Sequence, residues 1–232
     1  MENSYDSYKS TATSSVLSTV MRKVYVRMFL ALVVTAFTAL YVASSPALQT
    51  TILGSRAIFF GLMIAELAVV FVLSGMLHKL STATATLLFY LYAILNGVVF
   101  SSIFVVYELG SIAYTFFITA GVFGAMSVYG LVTKNDMTRF GSYCVMALFG
   151  LIIATVVNIF VASSTLDWII SFVGVALFIG LTAWDTQKIK NAAYEVEPSQ
   201  MGKLATIGAL SLYLDFINLF LYLLRFFGRS ND

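Results

Sequence analysis

The sequence has few charged residues. Asp, Glu, Lys and Arg make up 10% of its 232 residues, against roughly 25% in an average soluble domain. Apolar residues make up 60% of the chain. Because so few charges cannot cover the surface of a soluble domain, the composition predicts an integral membrane protein. It also excludes a disordered chain and a disulfide scaffold.

Cysteine, histidine and proline are scarce as well. Cys144 is the only cysteine, which excludes an internal disulfide and a cysteine metal cluster. His78 is the only histidine, which excludes a site with several histidines. Two prolines allow most helices to run unbroken. The net charge of +2 does not indicate a nucleic-acid partner, and we expect no cofactor.

Seven long apolar runs follow a polar amino-terminal segment. A helix needs about 20 mainly apolar residues to cross a bilayer. The predicted spans are 25–44, 56–76, 83–106, 111–133, 141–163, 167–187 and 205–227. These runs lack the alternation of β-barrel strands. We therefore predict an all-α, polytopic membrane helix bundle, with a flexible polar tail over residues 1–21 and a single transmembrane domain over 22–232. The only sizeable loop is predicted at 188–203.

The distribution of lysine and arginine predicts the orientation of the spans. Cytoplasmic loops carry more of these residues than external loops. With the amino terminus in the cytoplasm, ten of the 13 basic residues lie inside and three lie outside. Two of the external ones, Arg225 and Arg229, follow the seventh span. A re-entrant last segment with both termini inside is therefore the alternative.

Two acidic side chains stand out in the second and sixth spans. Ionisable groups inside a membrane helix are costly and usually face a cavity or a partner. Glu66 lies in the middle of the second span, where it either contacts a proton or cation in a cavity or bonds to a neighbouring helix as a neutral carboxyl. Asp185 lies near the inner end of the sixth span, where it either serves a site or only pairs with Lys188.

The seventh span carries a polar stripe. At about 3.6 residues per turn, its polar side chains fall within a sector of roughly 80°. They are Ser211, Asp215, Asn218, Tyr222 and Arg225. Such a face avoids lipid, so it lines a cavity or forms a polar seam between helices. We favour the cavity.

Two segments resemble a known motif. Residues 183–189 have the sequence AWDTQKI, and residues 211–220 have SLYLDFINLF, followed by Leu224 and Arg225. Together they resemble the transmembrane Bax-inhibitor motif, over about residues 180–228, and the helix count and short loops agree across the rest. The chain is identified as a bacterial member of the Bax inhibitor family.

The resemblance implies more than the residues alone. It implies a seven-helix bundle in the bacterial inner membrane with the last helix surrounded by the others, and a calcium leak linked to protection from stress and cell death. Asp185 and Asp215 match a pair of aspartates that shares a proton and controls opening with pH. Glu66 matches an acid that is a candidate contact within the pore.

A mechanism follows from that expectation. Two close carboxylates in a low-dielectric site cannot both ionise cheaply, so they titrate as a unit. Ca²⁺ prefers oxygen ligands, and Asp185, Asp215 and Glu66, with Asn218 and Ser211 beside them, are expected to line its path. The aspartates would bind Ca²⁺ only weakly. The pair meets only if the seventh helix begins late or the sixth extends beyond its predicted end.

One feature departs from the family pattern. Members can carry an arginine at the inner end of the second helix that holds the aspartate of the sixth. Here residues 75–79 have the sequence GMLHK. Lys79 or His78 would have to act as the latch, and lysine lacks the bidentate fork of arginine. Tyr222 and Arg225 are the other candidates for a latch or a polar seam.

Rival functions remain from other classes. A non-transporting partner of another membrane complex, such as a quality-control protease, would use the Ser/Thr-rich tail as its handle. An intramembrane aspartyl protease also places two aspartates on its sixth and seventh helices. However, Leu212, Tyr213 and Leu214 replace the Gly-x-Gly that such proteases have beside the second aspartate. We expect no enzymatic activity.

Overall fold

The computed structural model describes residues 2–75 and 79–231. Within these residues the chain is almost entirely helical, and the one strand-like contact is an isolated bridge between Tyr107 and Ser230. The helices are α1 (Glu2–Ala43), α2 (Pro46–Leu53), α3 (Arg56–Gly75), α4 (Thr82–Phe100), α5 (Ile103–Val106), α6 (Leu109–Val132), α7 (Thr138–Val161), α8 (Ser164–Glu195) and α9 (Met201–Phe227). A 3₁₀ turn at Pro198–Gln200 connects α8 to α9.

Among the residues that the structure describes, seven segments are long and apolar enough to cross a membrane, by length and composition. They correspond one to one to the predicted spans, so the predicted all-α polytopic membrane bundle is confirmed. The seventh segment contains α9, a continuous helix of 27 residues, which leaves no break for a re-entrant loop. It also has the largest buried share of the seven, and the predicted central position of the last helix stays a prediction. The backbone of α1 is helical from Glu2. The division into a flexible tail and a single transmembrane domain stays a prediction.

Serine and proline mark the ends of several helices. Ser45 is extended, as the residue before a proline usually is, and Pro46 occupies the first turn of α2. The hydroxyl of Ser81 accepts a hydrogen bond from the backbone N–H of Thr84, at 3.1 Å, and caps the amino terminus of α4. The third span continues past the end of α4 through a short turn into α5.

The sixth span differs from its prediction. Residues 188–203 were expected to form a loop, but α8 continues to Glu195. The charged residues in this stretch lie among apolar ones that the protein buries, and Ile189 and Ala193 are both buried. Because the helix therefore extends beyond its apolar core, Asp185 lies ten residues before its end, or about 15 Å along the axis. This extension is the condition under which Asp185 and Asp215 were expected to meet.

The chain divides into two compact units. The first contains Met1–Val106, Lys190–Leu210 and Asn231. In this unit α1 packs against α4, where the hydroxyl of Thr35 donates to the carbonyl of Ala93 at 2.9 Å. The guanidinium of Arg27 donates to the carbonyl of Gly202 and to the hydroxyl of Thr206, both at 2.6 Å, and so fixes the start of α9.

The second unit contains Tyr107–Ile189 and Ser211–Ser230. One face of α6 is buried in it, and the buried residues recur every three or four positions, as expected for one side of a helix. They are Ser111, Ile112, Thr115, Thr119, Phe123, Ser127 and Gly130. The ring of Phe123 lies 5.4 Å from the ring of Phe216, which joins α6 to α9.

Candidate functional site

The two aspartates of the motif lie in the same compact unit. Asp215, on α9, is 5% exposed, and its Oδ2 atom has no hydrogen-bond partner among the described residues. Asp185, on α8, is partly exposed. The two carboxyl groups are close enough for their charges to interact, and Lys188 is within electrostatic range of both. Asp215 also interacts electrostatically with the thiol of Cys144 on α7.

This arrangement favours a shared proton. A carboxylate buried away from water pays a large desolvation cost, and a second negative charge nearby adds to it. A neutral carboxyl beside an ionised one avoids most of that cost, and the proton can hydrogen-bond the two groups. The chemistry available to Asp185 and Asp215 is therefore proton uptake and release, with a change in the net charge that the pair carries.

Aromatic and small residues hold the two aspartates in place. Phe216, next to Asp215, is buried, and its ring packs edge-on against Phe116 as well as Phe123. Trp184, next to Asp185, lies directly against Gly141 of α7, so there is no room for a larger residue at that position. The ammonium group of Lys188 lies 4.9 Å from the centre of the Trp184 ring. Packing therefore fixes the backbone beside each carboxyl group.

Gln187 connects α8 to the loop between α6 and α7. Its side chain is 6% exposed. The amide oxygen accepts a hydrogen bond from the N–H of Met137, and the amide nitrogen donates to the carbonyl of Asn135, both at 2.8 Å. These two bonds fix α8 two residues after Asp185. The sequence analysis missed this residue, because a single glutamine among charged residues gives no signal.

Replacing Gln187 with methionine should therefore destabilise the protein. Methionine keeps the length of the side chain but leaves a buried N–H and a carbonyl without partners, which costs about 1–3 kcal/mol. The midpoint of thermal unfolding in detergent measures the loss. Gln200→Met, at an exposed position, is the control and should leave the midpoint unchanged. An unfolding midpoint of Gln187→Met equal to that of the wild type would show that the two hydrogen bonds contribute nothing to stability.

The carboxylate of Asp136, in that same loop, is not a candidate for a sensor near neutral pH. The hydroxyl and the N–H of Thr138 donate to its Oδ1 atom at 2.6 and 2.9 Å and hold the pKa of Asp136 below its ordinary value of 3.8. Because the pKa is lowered in the folded protein, the ionised carboxylate stabilises the fold at any pH above its ordinary pKa. This stabilisation is lost as the pH falls through the lowered pKa. Asp136 therefore stays ionised throughout the neutral range.

Glu66 belongs to the other compact unit. It lies on α3, its Oε1 atom is buried without a hydrogen-bond partner among the described residues, and it interacts electrostatically with Tyr92 of α4. The amide of Asn96 donates to the carbonyl of Tyr92 at 3.3 Å. The carboxyl group of Glu66 thus lies beside a polar patch on α4. Its predicted role in an ion path stays a prediction.

The polar stripe of α9 has mixed surroundings. Ser211 and Asn218 are partly exposed, and the amide of Asn218 donates to the carbonyl of Leu214 in its own helix, at 2.8 Å. Towards the carboxyl end of the helix, the ring of Tyr222 stacks on that of Phe178, at 5.9 Å between centres. The remaining member of the stripe, Arg225, forms an ion pair with Asp167 at 2.6 Å. This end of the stripe connects α9 to α8.

The predicted latch residues are less informative. Lys79 is exposed and belongs to the first unit, and His78 lies outside the described residues. A latch from either of them to Asp185 stays a prediction. Within the described part of the chain, no group of three or more His, Cys, Asp or Glu side chains could hold a metal ion. Weak binding of Ca²⁺ by Asp185 and Asp215 also stays a prediction.

Comparison with known proteins supports the resemblance of the motif. A family model described as "Inhibitor of apoptosis-promoting Bax1" matches residues 17–232. "Inner membrane protein YbhL" of Escherichia coli K12 is 49% identical over 216 residues, which cover 92% of each chain. A protein of Borreliella burgdorferi is 44% identical over 215 residues, covering 91% of this chain and 93% of its own. One of Deinococcus radiodurans is 43% identical over 215 residues, covering 92% and 91%.

Proposed function

Because the chain belongs to the Bax inhibitor family and its described residues contain seven helices that are long and apolar enough to cross a membrane, we propose that it is a calcium leak channel of the bacterial inner membrane, opened by rising pH. The relative from E. coli is named an inner membrane protein, which supports this location for the chain. Asp185 and Asp215 form the pH sensor, and Ca²⁺ is the transported ion rather than a resident cofactor. The role is passive transport and not enzymatic catalysis.

The observation that carries the proposal is the burial of Asp215 beside Asp185. The two residues lie on different helices of one unit, and an oxygen of the more buried carboxyl has no partner among the described residues. A structural ion pair would place a cation directly on that oxygen. An unpartnered acid in a membrane helix is instead typical of a proton or ion pathway.

The gating step is a change in the charge of the pair. At low pH the two carboxyls share one proton and hydrogen-bond, which connects α8 to α9. As the pH rises the pair loses that proton, the two carboxylates repel each other and the connection weakens. Lys188 lies within electrostatic range of both carboxyls and offsets part of the repulsion, and the thiol of Cys144 interacts with Asp215.

The ion path is proposed to use oxygen atoms and no energy source. Carboxylate and amide oxygens are ligands that Ca²⁺ accepts, and Asp185, Asp215, Ser211 and Asn218 supply them in the second unit. Glu66 is a separate candidate contact, tested on its own by Glu66→Gln. The sequence contains no GxxxxGK[ST] loop for a nucleotide, so we expect Ca²⁺ to move down its gradient. We place the amino terminus in the cytoplasm, as the excess of basic residues predicts.

Flux measurements on purified protein in liposomes test the proposal. The full chain is reconstituted with a calcium dye inside, and the rate of Ca²⁺ entry is measured from about pH 5 to about pH 8. We expect the rate to rise with pH by on the order of tenfold, because repulsion worth one pKa unit changes an equilibrium by that factor. Protein-free liposomes and Asp136→Asn are the controls. Entry no faster than in protein-free liposomes at every pH would contradict the proposal.

A further inference from the structure

Buried hydroxyl groups on α6 and α8 fall into two classes. Thr115, Thr119 and Thr182 are each 0% exposed, and each donates a hydrogen bond of 2.7 or 2.8 Å to the carbonyl four residues earlier in its own helix. Ser127 and Thr186 are equally buried, at 4% and 0% exposed, but their hydroxyl oxygens have no partner among the described residues. Hydroxyls on these helices can therefore donate to a carbonyl of their own helix, and Ser127 and Thr186 do not.

The two unpartnered hydroxyls lie on facing helices. A Cβ atom at Gly130 of α6 would lie 3.0 Å from the Cβ of Thr186, so α6 and α8 approach each other closely there. Ser127 precedes Gly130 by three residues and therefore lies on the same face of α6. The approach of the two backbones thus places Ser127 and Thr186 along one contact between α6 and α8.

The same face of α6 also reaches the helix that carries Asp215. Phe123, four residues before Ser127, packs against Phe216 at 5.4 Å between ring centres. Ser127 therefore lies between the contact with α9 and the contact with α8, and Phe123 to Gly130 spans about 10 Å of helix. Asp215 adjoins Phe216, and Asp185 adjoins Thr186. The face of α6 that carries Ser127 therefore contacts α9 one residue from Asp215 and α8 one residue from Asp185.

We propose that Ser127 and Thr186 supply neutral oxygen ligands to a Ca²⁺ ion held beside Asp215. This site rests on the proposed calcium leak and adds two residues to it. Ca²⁺ takes six to eight oxygen ligands, so two hydroxyls and the carboxylates of Asp185 and Asp215 leave several positions for water. Uncharged ligands let the ion lose part of its hydration shell without being trapped, as an ion in transit requires.

Binding of Ca²⁺ to the purified full-length protein tests the site directly. The thermal unfolding midpoint is followed against CaCl₂ concentration near pH 8, since bound ligand stabilises the folded protein. We expect Ser127→Ala and Thr186→Val each to raise the half-saturating concentration by about tenfold, because a bond to a charged group is lost. Thr186→Ser keeps the hydroxyl and should bind as the wild type does.

Two substitutions on the same helices provide matched controls. Thr182→Val lies one turn from Thr186, and Thr119→Val lies two turns from Ser127; both remove a fully buried hydroxyl that bonds to its own helix. If the site is as proposed, both control variants should bind Ca²⁺ with the half-saturating concentration of the wild type. The assignment would be overturned if all five variants had the same half-saturating Ca²⁺ concentration, or if the controls bound Ca²⁺ as weakly as Ser127→Ala and Thr186→Val. It would also be overturned if Ca²⁺ did not shift the unfolding midpoint of the wild type.

The flux assay separates this inference from the proposed function. A wild-type leak that rises with pH and is unchanged in Ser127→Ala and Thr186→Val would leave the function standing and remove the site. Weaker binding in these two variants, together with no wild-type flux, would keep the site and remove the channel.

Discussion

The variant Asp215→Asn should leak Ca²⁺ at one slow rate across the whole pH range. An asparagine cannot release a proton, so no second negative charge develops beside Asp185 and α8 stays connected to α9. At about pH 8 we expect a rate about tenfold below that of the wild type, and close to the rate of the wild type at about pH 5. The measurement is calcium-dye entry into liposomes that contain equal amounts of each protein.

Further variants show whether the effect belongs to the pair. Asp185→Asn should have the same flat profile, and the double variant should differ little from either single one, because residues that act as a unit are not additive. The control is Asp136→Asn, which removes an exposed carboxylate from the α6–α7 loop of the same unit. A profile of Asp215→Asn that still rises with pH as the wild type does would rule out the aspartate pair as the sensor.

The variant Gly130→Ala should unfold at a clearly lower temperature than the wild type. A methyl group there would collide with the backbone carbonyl of Ala183, which α8 cannot move without shifting as a whole. Overpacking of this kind costs about 1–3 kcal/mol, which for a chain of this length lowers the unfolding midpoint by about 2–12 °C. Thermal unfolding in detergent, followed by circular dichroism, measures the shift.

Another glycine on the same helix provides the control. A Cβ atom at Gly124 would meet nothing within 4 Å, so Gly124→Ala should leave the midpoint unchanged or raise it slightly, since alanine favours the helix. If Gly130→Ala unfolds at the same temperature as Gly124→Ala, the close approach of α6 and α8 is not the constraint described above.

The seven spans could be predicted because the bilayer fixes the length of an apolar helix. Each span is a run of roughly 20 mainly apolar residues, and the rest of this sequence has no run of that kind. The family was also accessible from sequence, since the AWDTQKI segment and the polar stripe around Asp215 form a specific pattern, and the family match over residues 17–232 confirms it.

The end of α8 could not be predicted from composition alone. The segment after Lys188 contains charged residues at a frequency that is typical of a loop, and only the burial of Ile189 and Ala193 explains why it stays helical. Hydropathy describes the preference of a residue for lipid or water. It does not reveal that the helix continues through a polar segment whose apolar residues are buried in the protein.

Side-chain partners were the other limit. Ser127, Thr186 and Thr182 look alike in the sequence, yet only Thr182 bonds to its own helix. Whether a hydroxyl is satisfied depends on its rotamer and on the helix opposite, and neither is encoded by the spacing of polar residues. The same holds for Gln187, whose two hydrogen bonds join residues about 50 positions apart.

The infrared difference spectrum of the purified protein between about pH 5 and about pH 8 tests the central claim most directly, because it detects protonated carboxyl groups. If Asp185 and Asp215 share a proton, one carboxylic acid band should disappear as the pH rises, and either Asp185→Asn or Asp215→Asn should shift or remove that band. A band that neither substitution changes, or two bands that are each removed by only one of them, would contradict the shared proton.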